Sequence, residues 1–235
     1  GMLGIEVLRE LLNRNIDLYA TIRSSSDKIK IKKYLNSDIS KIKFYNLDIK
    51  GSYKSKLKKI VSKKNFVVNC IGIIKPYIVD NDVKSLQNAL NVNSIFPHIL
   101  KTCVKKDVKV FQIATDCVYD GAKGKYKEDD SHNAKDVYGK SKSLGEVQSE
   151  NFFNIRCSII GNEIKGFKSL LCWFLNQKKN SKIFGFRNHL WNGITTRHFG
   201  KIISVLILKE IKIPNNFHIM PGDVVNKFQM LKIFQ

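Results

Sequence analysis

Strand-like and helix-like segments alternate along most of this sequence, and that alternation constrains its fold more than any other feature. Phe66–Gly72 is apolar throughout, as expected for a strand buried on both faces, and Lys109–Thr115 is similar. Segments of helical periodicity, such as Tyr53–Lys63 and Tyr138–Glu150, separate these strands from their neighbours. The pattern predicts βαβ units and a mostly parallel sheet, and therefore an α/β fold.

Further segments complete this pattern. The other predicted strands are Asp17–Arg23, Ile42–Leu47 and Phe153–Ser158, and the other predicted helices are Leu3–Asn13, Lys28–Leu35, Leu86–Lys106 with a break near Pro97, and Val224–Phe234. After about Ile160 the pattern is less regular and tryptophans appear. We therefore expect a main domain over residues 1–158, and over residues 159–235 a smaller substrate-facing part that is interleaved with the last core elements.

Composition excludes several classes of protein. With 43% hydrophobic residues in 235, the chain can bury a sizeable core, and no stretch approaches the ~18 apolar residues of a membrane span. We expect no signal peptide, because Gly1-Met2-Leu3-Gly4 runs straight into a mixed charged and apolar segment. The cysteines form no Cys-x-x-Cys pair, so we expect neither a metal site nor disulfides, and we predict a cytoplasmic protein with buried thiols. These cysteines are Cys70, Cys103, Cys117, Cys157 and Cys172.

The chain is strongly basic, with 41 basic and 20 acidic residues and a net charge of +21. Such a charge can indicate a nucleic-acid partner. However, only six of the basic residues are arginines, the residue type that base and phosphate recognition favours. We interpret the lysines as solvated surface and expect no specific nucleic-acid site, with non-specific nucleic-acid binding as the alternative.

The sharpest chemical signal is Tyr138-Gly139-Lys140-Ser141-Lys142. On a helix, Tyr138 and Lys142 share one face, because they are four residues apart. A tyrosine is a poor acid–base group at pH 7 unless a nearby cation stabilises its phenolate, and Lys142 supplies that charge. Taken alone, the pair could equally be a surface tyrosine beside a surface lysine.

The strand ends upstream of this pair make the combination more specific. Thr115 and Asp116 lie where a predicted buried strand ends, and Gly72 ends another. In open α/β sheets, ligands bind at the carboxyl ends of the strands. We therefore expect Thr115, Tyr138 and Lys142 to converge on one edge of the sheet.

Several longer stretches carry a family resemblance, and they are Gly1–Gly4, Asn91–Pro97, Ala114–Gly121, Tyr126–Asp130, Tyr138–Glu146 and Asn154–Gly161. With these stretches the chain resembles the extended short-chain dehydrogenases/reductases and, among them, the dTDP-4-dehydrorhamnose reductases. The resemblance covers essentially the whole chain. It implies a Rossmann-type doubly wound parallel sheet and NADPH-dependent reduction of a 4-keto nucleotide sugar in the synthesis of surface polysaccharide precursors.

The resemblance also implies residue roles. Thr115 would hydrogen-bond the substrate carbonyl, Tyr138 would deliver the proton, and Lys142 would lower the tyrosine pKa and hold the nicotinamide ribose. A developing alkoxide does require such a positioned acid. The expected cofactor-binding residues are Gly1, Met2, Leu3, Arg23, Ser24, Asp48, Ile49, Asn69, Cys70, Ile71, Gly72, Asn93, Tyr138 and Lys142.

Arg23 bears on the choice of cofactor. In dinucleotide folds an acidic residue at the end of the second strand binds the ribose diol, whereas an arginine accommodates a 2′-phosphate. The sequence has Ile22-Arg23-Ser24-Ser25 there, without a carboxylate. We therefore favour NADPH, with NADH as the alternative.

The aromatic stretch Phe184–Thr196 has two interpretations. It is either a loop pinned by a buried Trp191 or a lid over the nucleotide sugar, with Arg187 near the diphosphate and Thr195 near the next helix. His189 could equally be a structural hydrogen-bonding residue. We expect the substrate-binding residues to be Thr115, Asp116, Arg187 and Trp191, and a homodimer is left open.

The chain departs from the family at its start. Gly1 and Gly4 match the middle and last glycines of a Gly-x-x-Gly-x-x-Gly fingerprint, whose first glycine and preceding strand have no counterpart. In the order 3-2-1-4-5-6 that strand is central, so we expect unpaired inner strand edges, and we expect the chain to bind NADPH poorly or not at all. The alternatives are a related nucleotide-sugar epimerase, dehydratase or reductase, or an inactive truncated remnant.

Overall fold

The structure, a computed structural model, describes residues 1–164 and 166–235. The helices are α1 (Met2–Leu11), α2 (Ser25–Leu35), α3 (Lys54–Val61), α4 (Val83–Ala89), α5 (Phe96–Cys103), α6 (Val137–Leu144), α7 (Leu170–Leu175), α8 (Thr196–Leu208) and α9 (Lys227–Phe234). The strands are β1 (Leu18–Ile22), β2 (Ile42–Asn46), β3 (Phe66–Asn69), β4 (Lys109–Ile113), β5 (Phe152–Arg156), β6 (Ile159–Ile160), β7 (Leu190–Trp191), β8 (Ile194–Thr195), β9 (Asn216–His218) and β10 (Val225–Asn226).

The predicted parallel sheet is confirmed. It has four strands in the order β3-β4-β5-β9, and each neighbouring pair is parallel. β1 and β2 form a separate parallel pair. Among the described residues no strand pairs with the inner edges of β1 and β3, as expected for a Rossmann-type sheet without its first strand. The Lys64 ammonium lies 3.3 Å from the centre of the Tyr19 ring, at this junction of the two sheets.

Helix α1 contacts both sets of strands. Its residues Leu3, Val7 and Leu11 pack in one apolar cluster with Phe111 of β4 and Ile155 of β5. The opposite side of α1 packs on another cluster, which includes Leu35, Ile39 and Ile42. One helix therefore joins two sheets that share no hydrogen-bonded strand in the described residues.

Helix α8 packs along α1 on the same face of the sheet. Phe199 and Ile203 of α8 are completely buried in the α1 cluster, and a buried side chain of this size contributes ~1.5–3 kcal/mol. Gly200 allows the close approach, because a Cβ at this position would lie 2.7 Å from the carbonyl oxygen of Glu6. Helices α3 and α5 cover the other face, where Leu57 and Phe96 pack with Phe152. The sheet is thus buried on both faces.

Several predicted boundaries were wrong. β3 ends at Asn69 rather than Gly72, because the Asn69 side chain accepts a hydrogen bond from the Ile71 N–H (3.1 Å). The predicted helix over 86–106 is divided into α4, a π-helical segment over 90–95 and α5, and it continues through Pro97 in the first turn of α5. The segment over 224–234 begins with strand β10.

Helix α6 was predicted to reach Glu150 but ends at Leu144. The next residue, Gly145, lies so close to the π-helical segment that a Cβ would be 1.9 Å from the carbonyl oxygen of Asn93. The following backbone bonds to β5 instead, since the Val147 N–H donates to the Asn154 side chain (3.2 Å). In the part of the chain that the structure describes, no helix has both the length and the hydropathy that crossing a membrane requires.

Candidate active site

Thr115 and Tyr138 meet where β4 ends and α6 begins. Thr115 is buried, and its hydroxyl oxygen accepts a hydrogen bond from the Cys117 N–H (3.2 Å) in the turn that follows β4. Its hydroxyl also donates to Asp116 (3.3 Å) and interacts with the Tyr138 phenol. The two side chains that were predicted to contact a substrate carbonyl are therefore adjacent.

Helix α6 is held against this turn by its first residues. The Asp136 carboxylate accepts a hydrogen bond from the Gly139 N–H (2.8 Å), which caps the helix, and it pairs with the Lys75 ammonium (2.6 Å). Gly139 has no room for a side chain, since a Cβ would lie 2.2 Å from the carbonyl oxygen of Cys117. The glycine inside the Tyr-Gly-x-Ser-Lys motif is thus a packing requirement, to which our sequence reasoning assigned no role.

Lys142 follows Tyr138 by one turn of α6. It is buried, and it donates a hydrogen bond to the carbonyl oxygen of Ile113 at the end of β4. Burial lowers the pKa of Lys142 to about 8, although Cys157, Glu146 and Cys70 oppose the shift. The fold therefore keeps a positive charge close to the site, although removing that charge from water is unfavourable.

The Tyr138 phenol is held in its neutral form. Burial raises the pKa of Tyr138, and the hydrogen bond with Thr115 is the largest effect in the opposite direction. The resemblance implied that Lys142 lowers the pKa of Tyr138, whereas the lowering effect found in the structure is that of the Thr115 hydrogen bond. A neutral phenol carries the proton that a reduction requires.

Asn93 connects the end of β3 to α6. Its side chain accepts from the Ile73 N–H (2.8 Å) and donates to the Ile73 carbonyl (3.0 Å) and to the Ser141 hydroxyl (3.1 Å). These hydrogen bonds hold Gly72 close to Lys142. A Cβ built on Gly72 would lie 4.0 Å from the ammonium nitrogen. The predicted residues at the end of β3 and Asn93 therefore lie together with Lys142.

Asn69 has a buried partner that our sequence reasoning did not identify. The Asn69 side-chain amide donates to the Gln112 side-chain oxygen (2.7 Å), and both residues are buried. A glutamine inside the apolar run Phe111–Ile113 was the signal that could have revealed it. The bond cross-links β3 and β4 immediately before the site.

The first turn of α1 lies at the same edge. A Cβ on Gly4 would be 3.4 Å from the Cys70 Cβ, an ordinary contact distance, so Gly1 and Met2 lie near the end of β3. The Leu3 side chain is in the core, and the residue therefore presents backbone alone. A helix N-terminus beside the end of β3 and the Gly72 that follows it is suited to a phosphate group.

The remaining predicted cofactor residues follow β1 and β2. Arg23 is exposed, and the backbone N–H groups of Arg23 and Ser24 donate to the Asp27 carboxylate (3.1 and 3.3 Å) at the start of α2. Asp48 accepts from the Lys50 N–H (3.0 Å), and Ile49 packs in the cluster on the α5 face. Among the described residues, none of these four forms a hydrogen bond or an ion pair with Thr115, Tyr138 or Lys142.

The predicted substrate residues separate into two groups. Trp191 is anchored, since its indole N–H donates to the Ser158 hydroxyl (2.8 Å), and the Asp116 side chain is exposed beside Thr115. The Arg187 guanidinium instead lies 4.8 Å above the centre of the Phe228 ring, with its side chain exposed. Thr195 caps α8 through the His198 N–H (3.1 Å), which places it at the helix start as predicted.

Cys117 is poorly suited to act as a nucleophile. Desolvation of its thiol and the neighbouring Asp116 carboxylate raise the pKa of Cys117 to about 11. The thiolate is therefore scarce at neutral pH. The prediction of buried thiols was wrong for Cys117, which is exposed in the turn after β4, and for Cys70, which is half-buried; Cys103, Cys157 and Cys172 are buried.

Comparison with known families identifies the chain. The family described as the RmlD substrate binding domain matches residues 1–229. The chain belongs to this family. A curated relative, the dTDP-4-dehydrorhamnose reductase of Aggregatibacter actinomycetemcomitans, is 31% identical over 97 residues, which are 37% of this chain and 33% of the relative. The chain thus matches about a third of the length of that relative.

Solved structures agree on the fold of this RmlD-family chain. A hypothetical dTDP-4-dehydrorhamnose reductase from Sulfolobus tokodaii is similar over 100% of this chain and 78% of its own, with a TM-score of 0.75 and 24% identity. The UDP-glucuronic acid 4-epimerase of Bacillus cereus, in complex with UDP-glucuronic acid and NAD, is similar over 100% of this chain and 79% of its own, with a TM-score of 0.80 and 18% identity. At these identities the likeness shows the Rossmann-type fold alone.

Proposed function

We propose that this RmlD-family chain is an NADPH-dependent oxidoreductase that reduces the 4-keto group of a nucleotide sugar, as in the reduction of dTDP-4-dehydrorhamnose. The adjacency of Thr115, Tyr138 and Lys142 at the carboxyl end of β4 carries the proposal. The family match and the curated relative support the substrate class. We place the reaction in the cytoplasm, in the synthesis of surface polysaccharide precursors.

The residues at the sheet edge fit a dinucleotide. Gly72 lies beside the Lys142 ammonium, with 4.0 Å from a Cβ at Gly72 to the ammonium nitrogen, and the first turn of α1 adjoins Cys70 at the same edge. In the described residues, Lys142 has no carboxylate within ion-pair distance, so its charge is available to a ligand. A bound nicotinamide would supply the hydride. Solved neighbours with NAD in the complex support a nicotinamide cofactor.

The residues of the chain supply the proton and its placement. The Thr115 hydroxyl is positioned to hydrogen-bond a carbonyl oxygen, and Tyr138 is positioned to donate its proton to that oxygen as negative charge develops. Lys142 adds a positive charge one helical turn away. We propose that residues 159–235, with Trp191, contribute the substrate-binding part, and that Arg23 and Ser24 favour NADPH over NADH through the 2′-phosphate.

The test is turnover of dTDP-4-keto-6-deoxy sugars with NADPH. Tyr138→Phe removes the proton donor and should abolish turnover while NADPH affinity changes little. Tyr45→Phe is the matched control, because Tyr45 lies on β2, away from Thr115 and α6, and should keep the parent rate. A Tyr138→Phe variant with the parent rate would contradict the assignment, and interconversion of sugars without net NADPH oxidation would indicate an epimerase.

A further inference from the structure

A lysine that no sequence motif singled out lies beside the candidate active site. Lys227 is the first residue of α9, and its backbone N–H donates to the carbonyl oxygen of His189 (3.0 Å). Antiparallel pairing of β10 with β7 sets Val225 opposite Trp191. These backbone hydrogen bonds therefore fix the position of the Lys227 backbone relative to Trp191.

The Lys227 ammonium lies near the Trp191 ring and within electrostatic range of Asp116. Its nitrogen lies 5.8 Å from the centre of the Trp191 ring, and Asp116 and Cys117 are near enough to act on it electrostatically. No carboxylate of the described residues comes within ion-pair distance of it, and the side chain is partly buried. Burial lowers the pKa of Lys227, as expected for an ammonium held partly out of water without an anionic partner.

The neighbouring cations are already engaged or turned elsewhere. The Lys75 ammonium pairs with Asp136 at 2.6 Å, and the Arg187 guanidinium stacks on the Phe228 ring. Lys227, in contrast, has three N–H donors on its ammonium, and none of them has an acceptor among the described residues. Asp116 is exposed and acts electrostatically on Lys227, so an anionic ligand bound beside Lys227 also meets the repulsion of Asp116, which the ammonium offsets.

We propose that Lys227 binds the diphosphate of the nucleotide sugar, with the Trp191 ring as the adjacent wall of the subsite. This assignment rests on the proposed function and adds to it the residue that recognises the anionic part of the substrate. A diphosphate offers several oxygens to one ammonium, and charge-assisted hydrogen bonds of this kind are among the strong ones. The indole is fixed for this purpose by its bond to Ser158.

Calorimetric titration with dTDP and UDP tests the assignment without turnover. Lys227→Met should weaken nucleoside diphosphate binding by about tenfold or more, as expected for loss of one charge-assisted contact, and should reduce its salt dependence. Lys227→Arg should retain most of the affinity. Lys232→Met is the matched control, because Lys232 is an exposed lysine of the same helix, near Phe228, and should bind like the parent.

The outcomes separate the two proposals. A parent chain that binds dTDP or UDP, with a folded Lys227→Met variant of equal affinity, would overturn the role of Lys227 and leave the proposed function intact. A parent chain that binds no nucleoside diphosphate would overturn both. Thermal unfolding establishes that each variant is folded, and Lys227→Gln provides the same charge removal if the Met variant does not fold.

Discussion

Replacing Lys142 by methionine should stabilise the protein while removing its activity. The pKa of Lys142 falls from 10.5 to about 8 because the ammonium is buried, which corresponds to a penalty of ~3 kcal/mol on the charged form at pH 7. Methionine has a similar length and no charge, and it loses the hydrogen bond from the ammonium to Ile113, worth ~2 kcal/mol for a charged donor. The free energy of unfolding at pH 7 should therefore rise by ~1 kcal/mol.

The pH dependence of stability shows whether the effect of Lys142→Met comes from removing the charge or from changed side-chain packing. Between pH 8 and pH 10.5 the unfolded parent binds a proton at Lys142 that the folded parent has lost, so the parent gains stability as pH rises through this range. The advantage of Lys142→Met should therefore shrink from pH 7 to pH 10 in urea unfolding. Lys140→Met, at an exposed position of the same helix, should show a difference that does not vary with pH. A constant advantage for Lys142→Met would refute the reasoning.

Three further substitutions test the packing of α6, the buried ion pair beyond it and the cofactor preference. Gly139→Ala should lower the free energy of unfolding by ~1–3 kcal/mol and reduce activity, because its Cβ would lie 2.2 Å from a backbone oxygen, whereas Gly222→Ala has open space and should be neutral. Glu146→Gln should cost ~3–5 kcal/mol, measured by urea unfolding, because Arg156 would keep a buried charge without a counterion. Arg23→Asp should reverse or flatten a preference for NADPH over NADH in kcat/KM.

Each of these changes has a control in the chain. Glu210→Gln removes an exposed ion pair with Lys109 and should cost no more than ~1 kcal/mol. Arg14→Asp makes the same charge change as Arg23→Asp at an exposed position after α1, and cofactor preference should not respond to it. Equal losses from Glu146→Gln and Glu210→Gln would contradict the argument from burial, and a shifted preference in Arg14→Asp would point to overall charge.

Local patterns predicted the core elements well. The alternation of apolar strands and amphipathic helices placed β1 to β5 and α1 to α3 within a few residues of their observed bounds. Boundaries failed where a distant group decided them. The end of α6 depends on contact between Gly145 and Asn93, and the end of β3 on the Asn69 side chain, so neither is visible in a local window.

The same distinction applies to the candidate site. Tyr138 and Lys142 are four residues apart on one helix, so their proximity follows from helical geometry, and Thr115 follows from the direction of parallel strands. Lys227 reaches the site through the pairing of β10 with β7, two strands of two residues each. Such short strands have no periodicity to detect, which explains why Arg187 rather than Lys227 attracted attention in the sequence.

The contacts around α6 explain how the fold tolerates a buried ammonium. Lys142 costs ~3 kcal/mol as a charged group at pH 7, and α6 could relieve that cost by tilting the ammonium toward water. Three contacts prevent the movement: Gly139 lies against the Cys117 backbone, Asn93 binds Ser141, and Glu146, just beyond the helix, forms a two-point ion pair with Arg156. The helix is therefore restrained near its start, at its middle and just past its end, and the destabilised charge remains next to Tyr138.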